Sequence, residues 1–171
     1  MSPQSPQSPQ SSRYTERRGI QLVTLHNHAA GDGEQAGPPP RRPGLAGEAS
    51  LVVGPAETAA AMGNDPEIDV LATPALLLLV EAACYAAVEP VLAAGQRLIG
   101  SAVQLRHLAP TPVGERVTAR ATLVEVDGAK LSFEVVVDDE HERVGEARME
   151  QYAIDLARFG RRLESKRGRS G

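Results

Sequence analysis

The chain has 171 residues, a formal net charge of −4 and 42% hydrophobic residues, which suits one packed domain with additional segments. The mild charge gives no reason to expect nucleic-acid binding. A single cysteine, Cys84, excludes an intrachain disulfide framework and a cysteine-based zinc site. The N-terminal residues lack the apolar region of a secretory signal, so we expect none. The longest continuous apolar run, residues 74–80, is too short to span a bilayer. We therefore expect a cytoplasmic protein with no nucleic-acid or membrane partner.

Residues 1–44 have the composition of a disordered or loosely ordered extension. Residues 2–10 repeat Ser-Pro-Gln, and residues 31–44 contain a proline triplet. Such polar, proline-rich segments cannot bury enough apolar surface to offset the entropy of ordering. Residues 20–25 could form a short strand, which we expect to lie outside the main core because loose segments flank it. His26 and His28 could bind a metal, but no further ligand supports a site there.

Residues 45–157 have the pattern of an α+β domain. A first strand is predicted over residues 48–53 and a short Ala-rich helix over residues 55–62. Residues 73–94 predict one long helix, with Thr73 as N-cap and Pro74 at the first helical position. That helix is apolar on nearly every side, so it should be buried.

Four further strands follow this helix. They are predicted over residues 98–108, 115–127, 130–139 and 143–154, with a hairpin turn at Asp127-Gly128. One apolar helix followed by an antiparallel meander predicts a sheet that wraps the helix. Residues 158–171 are rich in Lys and Arg, and we predict a solvated, frayed basic tail, a contact with ligand phosphates being the less favoured alternative.

Glu81 is the most informative candidate for chemistry. It interrupts the apolar helix, and its neighbours one turn away are Leu77, Leu78, Cys84 and Tyr85. A carboxylate in such surroundings is costly unless it is paired, hydrogen-bonded or functional. Buried ionisable groups cluster at active sites, so we predict a functional Glu81 over the alternative that it lies on a narrow polar face.

Four other residues have ordinary explanations when each is considered alone. N-capping explains Thr73, although a helix N-terminus also offers free N–H groups to a developing oxyanion. His107 ends a predicted strand, where a partly buried histidine is common. Cys84 is predicted to be a buried, inert thiol, and His141 to be exposed in an acidic turn.

The combined spacing resembles the fluoroacetyl-CoA thioesterase family of hotdog proteins over about residues 45–157. The matching motifs are Leu71-Ala72-Thr73-Pro74-Ala75, Val80-Glu81-Ala82-Ala83-Cys84, Gly100-Ser101, His107, Thr111-Pro112-Val113-Gly114, Val126-Asp127-Gly128, Leu131-Ser132-Phe133 and Val144-Gly145-Glu146. The resemblance implies a homodimer of hotdog fold that hydrolyses acyl-CoA thioesters. It implies Thr73, Glu81 and His107 as the catalytic set, and substrate contacts at Gly100, Pro74 and Ala75. That chemistry needs no metal and no redox cofactor.

Two departures from the family bear on the substrate. An arginine near the family's active site corresponds to Gln151 here, and the phenylalanines that precede the family's helix have no counterpart in residues 59–70. The sequence therefore predicts thioester hydrolysis without supporting selectivity for fluoroacetyl-CoA.

Thr73 and Glu81 are eight residues apart in sequence, which places them about 12 Å apart along one helix. We therefore predict two composite sites at a two-fold interface, in which Glu81 of one subunit faces the helix N-terminus of the other. The alternative is a bent loop before the helix that brings all three residues together in one chain. Glu81 would act as nucleophile or general base, His107 as proton donor or orienting group, and Thr73 would polarise the carbonyl or position Glu81. Other functions left open are a non-catalytic acyl-CoA-binding protein and, less favoured, a hotdog hydratase or dehydratase.

Overall fold

A computed structural model describes residues 15–17, 19–25 and 40–168 of the chain. The strands and helices, in chain order, are β1 (Thr15–Arg17), β2 (Ile20–Leu25), β3 (Ala46–Val52), α1 (Thr73–Val88), β4 (Gln96–His107), β5 (Arg116–Asp127), β6 (Lys130–Asp138), β7 (Arg143–Asp155) and α2 (Leu156–Arg167). Short 3-10 turns at Pro55–Glu57 and Glu89–Val91 flank α1 on its two sides.

The seven described strands form one antiparallel sheet in the order β1-β2-β3-β5-β6-β7-β4. Alternate residues of β5, β6 and β7 are buried, as expected for strands with one face against a core. That inner face packs around α1, which contacts β3 and β5 most extensively. The predicted α+β architecture, a sheet wrapped around one long helix, is confirmed.

Helix α1 supplies the centre of the core. Its buried residues are Ala75, Leu76, Leu79, Val80, Ala83, Cys84, Ala86, Ala87 and Val88. An outer stripe that includes Leu78, Glu81 and Tyr85 is only partly covered, so the helix is not buried on every side. The helix ends at Val88, earlier than predicted, because Pro90 cannot continue it.

By length and hydropathy alone, Thr73–Val91 is long and apolar enough to cross a membrane, and 56% of its most apolar stretch is buried inside the protein. The core helix of a globular domain passes the same test, and the expected absence of a membrane partner stays a prediction.

Gly47 allows β3 to lie directly on the C-terminal half of α1. A Cβ at this position would overlap the backbone of Ala86 and Ala87. Since any side chain would push the strand away from the helix, Gly47 is required by close approach of two backbones.

The segment before α1 forms turns in place of the predicted helix over residues 55–62. The Thr58 hydroxyl donates to the Pro55 carbonyl and accepts from the Ala61 N–H, which favours a turn over a continued helix. Isolated bridges then join Thr58 to Leu71 and residue 70 to residue 112. These bridges hold the entry to α1 against the body of the domain.

Two expectations about the ends of the chain need correction. Residues 20–25 belong to the main sheet as β2, which pairs with β3, and Ile20 packs against the core. The tail is solvated as predicted, with no buried residue in α2, but it is helical over Leu156–Arg167 and not frayed there. The Asp155 side chain caps α2 by accepting a 2.7 Å hydrogen bond from the Arg158 N–H. The Ser-Pro-Gln repeat, His26 and His28 lie outside the described residues, and the domain boundaries at residues 44 and 157 stay predictions.

Candidate active site

Thr73 and His107 meet where the start of α1 approaches the end of β4. Thr73 Oγ1 lies 3.0 Å from His107 Nδ1. The N-cap of α1 is Ala72, which has extended dihedral angles and no side-chain cap, so the prediction of Thr73 as N-cap is wrong by one residue. As the first helical residue, Thr73 keeps its hydroxyl available for His107.

Backbone N–H groups without an intrahelical acceptor lie at the same end of the helix as this hydroxyl. The first hydrogen bond of the helix runs from the Leu76 N–H to the Ala72 carbonyl over 3.0 Å. The N–H groups of Thr73 and Ala75 precede that bond and have no intrahelical acceptor, while Pro74 has no N–H. The helix dipole adds positive potential at the same place, which favours an anion there.

A cleft of about 520 Å³ opens onto this pair of residues. Thr73, Pro74 and His107 form one side of it, and the turns before α1, with Met62 and Asn64, form the other. The structure therefore places Pro74 beside the catalytic candidates, and its contact with substrate stays a prediction. The side chain of Ala75 is buried in the core, so only its backbone faces this end of the helix.

Burial lowers the pKa of His107, and the backbone of Ala109 opposes part of that fall. His107 Nε2 is buried without a hydrogen-bond partner, and Nδ1 lies against Thr73. The lowered pKa favours the neutral form of the ring. Which nitrogen carries the proton depends on whether the Thr73 hydroxyl donates or accepts.

Glu81 lies in a second cavity, of about 300 Å³, lined also by Leu78, Leu98, Gly100 and Gln151. A Cβ on Gly100 would lie 3.0 Å from Glu81 Oε1 and 2.8 Å from the Met149 methyl carbon. The absence of a side chain at Gly100 therefore lets the carboxylate approach the backbone of β4. The strand is irregular directly after Gly100, which is typical of β-bulges beside functional sites.

The two clefts are separate within one chain. Helix α1 is continuous from Thr73, so Glu81 lies about 12 Å further along its axis. The alternative of a bent loop that unites all three residues in one chain is therefore wrong. The structure brings Thr73 to His107 and Glu81 to Gly100, and leaves the two pairs apart.

The predictions for Cys84 and His141 agree with the structure. Burial, together with the charge of Glu81, raises the pKa of Cys84, which is fully buried and inert as predicted. His141 is exposed, and its Nε2 lies 3.5 Å from Glu115. Residues 40–168 contain no group of three His, Cys, Asp or Glu side chains suited to a metal ion. The expected independence from cofactors stays a prediction.

Sequence reasoning noticed Gln151 only as a departure from a family arginine. In the structure its side chain is buried and lines the cavity of Glu81. The period of two along β7, which turns Met149, Gln151 and Ala153 to the same inner face, is the signal that predicts this position.

Comparison with known proteins agrees with this arrangement. The family model of the fluoroacetyl-CoA-specific thioesterase matches residues 53–157. The chain belongs to this family. The fluoroacetyl-CoA thioesterase of Streptantibioticus cattleyicolor is 35% identical over 98 residues, which are 57% of this chain and 70% of that relative.

Solved structures show the same fold. A mutant of a fluoroacetyl-CoA-specific thioesterase aligns with a TM-score of 0.69 and 32% identity, covering 75% of this chain and 98% of the other. A thioesterase superfamily member from Thermus thermophilus aligns with a TM-score of 0.70 and 27% identity, covering 76% and 96%. A hot-dog-like protein from Thermanaerovibrio acidaminovorans, at 19% identity and a TM-score of 0.67 over 72% and 91% of the two chains, supports the fold alone. The predicted hotdog fold, family and thioesterase class are confirmed.

Proposed function

We propose that this hotdog thioesterase hydrolyses acyl-CoA thioesters as a homodimer, with Thr73, Glu81 and His107 in each active site. The observation that carries this proposal is the 3.0 Å contact between Thr73 Oγ1 and His107 Nδ1 at the N-terminus of α1. A hydroxyl, a neutral imidazole and free N–H groups together suit a thioester carbonyl whose oxygen becomes negative.

Surface features support a two-fold partner. Strand β4 is at the edge of the described sheet, with β7 as its one neighbour there. Leu78 on α1 and Val103 on β4 are 46% and 41% exposed. An edge strand beside exposed apolar side chains is suited to pairing with a second copy. In such a dimer, Glu81 of one subunit would reach the Thr73–His107 pair of the other and complete the site.

The chain's own residues suit either of two routes from this geometry. As nucleophile, Glu81 attacks the carbonyl carbon, the C–S bond breaks, and water then hydrolyses the acyl anhydride. As general base, Glu81 accepts a proton from water while the hydroxide adds to the carbonyl, and the C–S bond breaks when the oxyanion collapses. In both routes the N–H groups of Thr73 and Ala75 stabilise the oxyanion.

His107 orients the Thr73 hydroxyl. With Nδ1 carrying the ring proton and donating to Thr73 Oγ1, the hydroxyl keeps its own proton for the oxyanion. The departing thiolate accepts, through Glu81, the proton that water gives up, and ends as the free thiol of CoA. Over the whole cycle, water adds to the thioester to give a carboxylic acid and a thiol.

We extend the relatives' activity to short acyl-CoA thioesters in general. Residues 59–70, before α1, contain no phenylalanine, and Gln151 stands where the family has an arginine. The cavity beside Glu81, about 300 Å³, is at the small end of ligand sites and suits a short acyl group.

A panel of acyl-CoA thioesters, assayed by release of free thiol, tests the proposal. Hydrolysis of short acyl-CoA by the native protein, with at least a hundredfold loss in Glu81→Gln, is the expected result. Tight binding of acyl-CoA without turnover would instead identify a non-catalytic binding protein. Near-normal turnover by Glu81→Gln would remove Glu81 from the mechanism.

A further inference from the structure

The cavity beside Glu81 contains a buried polar group that the hydrolytic mechanism does not use. Gln151 is 4% exposed, and its Oε1 has no hydrogen-bond partner. Buried side-chain amides are almost always hydrogen-bonded, so an unpaired one that lines a cavity indicates a ligand that supplies the missing partner.

The pairing of β7 with β4 places this amide near Glu81, where the thioester carbonyl would react. Gln151 on β7 is paired in register with Gly100 on β4. Gly100 has no side chain to separate it from Glu81, whose carboxylate lies against the same stretch of β4. An acyl group whose carbonyl carbon meets Glu81 therefore extends past Gly100 toward Gln151.

Most of the remaining cavity wall suits hydrocarbon. Ile20, Leu78, Ala82 and Leu98 line it together with Tyr85. The neighbours of Gln151 on the inner face of β7 are Met149 and Ala153. A polar acyl substituent would therefore find its partner at Gln151, while the carbon atoms contact apolar side chains.

We propose that Gln151 selects acyl-CoA substrates whose short acyl chain carries a hydroxyl group. This inference rests on the proposed thioesterase function. A hydroxyl donates to Oε1 and can accept from the amide nitrogen, so it fits either orientation of the side chain. A plain acyl chain would displace water from the cavity and leave Oε1 unpaired. A carboxylated acyl chain is disfavoured because its charge would lie beside that of Glu81.

The test compares matched pairs of thioesters that differ in one hydroxyl. We would measure kcat/KM for butyryl-CoA and for 2-, 3- and 4-hydroxybutyryl-CoA with the native protein. For native protein, kcat/KM is expected to be about ten- to a hundredfold higher for the best hydroxyacyl thioester than for butyryl-CoA. The reason is that an unsubstituted chain leaves the buried Oε1 of Gln151 without a hydrogen-bond partner. Equal kcat/KM for butyryl-CoA and all three hydroxybutyryl-CoA esters would overturn the assignment, and would show that water alone pairs with Gln151.

Substitutions at Gln151 test whether this residue causes the preference for hydroxyacyl thioesters. Gln151→Leu and Gln151→Met should lose most of the preference, measured within each variant as the ratio of kcat/KM for the hydroxybutyryl-CoA esters to kcat/KM for butyryl-CoA. Gln21→Leu, the same change at an exposed position of the sheet, should keep the native ratio. An unchanged ratio in both Gln151 variants would overturn the inference. Failure of native protein to hydrolyse any of these thioesters would instead refute the underlying thioesterase proposal.

Discussion

Thr73 Oγ1 and His107 Nδ1 lie 3.0 Å apart, which ties the first residue of α1 to the last residue of β4. This contact exists because Ala72 takes the N-cap position and leaves the threonine hydroxyl without a capping role. The same hydroxyl is thus positioned by the helix and oriented by the imidazole. Glu81, on the same helix, is about 12 Å away and cannot join them within one chain.

Removal of the Thr73 hydroxyl should reduce hydrolysis. Thr73→Ala loses both the contact with His107 and a donor near the oxyanion, and we expect kcat/KM to fall by about a hundredfold. Thr73→Ser keeps the hydroxyl and should lose less than tenfold. Because Thr73 is not the N-cap, the free energy of unfolding should change by less than about 1 kcal/mol in urea titrations. A large loss of stability in Thr73→Ala would contradict this description.

Acidification should destabilise the fold through His107. Burial lowers its pKa in the folded protein, so the unfolded chain binds the proton more readily. This contribution to stability is fully present above the unfolded pKa of about 6.5 and decreases as the pH falls toward the lowered folded value. Between pH 7.5 and pH 5.5, the free energy of unfolding measured in urea should fall less for His107→Gln than for native protein. An equal loss in the two proteins would contradict the burial of the His107 ring as the cause.

A methyl group at position 100 should harm catalysis more than stability. In Gly100→Ala the new Cβ would meet the Glu81 carboxylate and the flexible end of Met149, which can move aside. Displacement of the carboxylate by a few tenths of an ångström should lower kcat by about ten- to a hundredfold. The unfolding free energy should fall by about 1 kcal/mol or less. Unimpaired kcat would show that Glu81 does not depend on its approach to β4.

A methyl group at position 47 should harm stability more than catalysis. Gly47→Ala would force β3 away from the backbone of α1 and should cost about 1–3 kcal/mol in unfolding free energy. Gly160→Ala, in α2 with open space around it, should instead stabilise the protein by up to about 1 kcal/mol. Thermal and urea unfolding of both variants check this contrast, and equal stabilities would contradict the close packing at Gly47.

The sequence predicts the core of the fold because two patterns are compatible with few secondary structures. Alternation of apolar residues indicates strands with one buried face, and a long continuous apolar segment indicates a buried helix. The sequence also predicts the separation of Thr73 and Glu81, since helix rise alone determines it. Sequence reasoning missed the pairing of β2, because loose flanking segments say nothing about a partner strand. It also missed the cap at Ala72, since boundary residues differ by small energies. The contact of Thr73 with His107 depends on how β4 curves around α1, which no local pattern encodes.

Subunit complementation tests the composite site most directly. Thr73→Ala and Glu81→Gln subunits, co-expressed with different affinity tags, would be purified as the mixed dimer. We predict that each parent is about a hundredfold or more less active than native protein, while the mixed dimer has one intact site and about half of native activity. A mixed dimer as inactive as its parents would contradict a site shared between subunits, and a protein that remains monomeric would contradict the dimer itself.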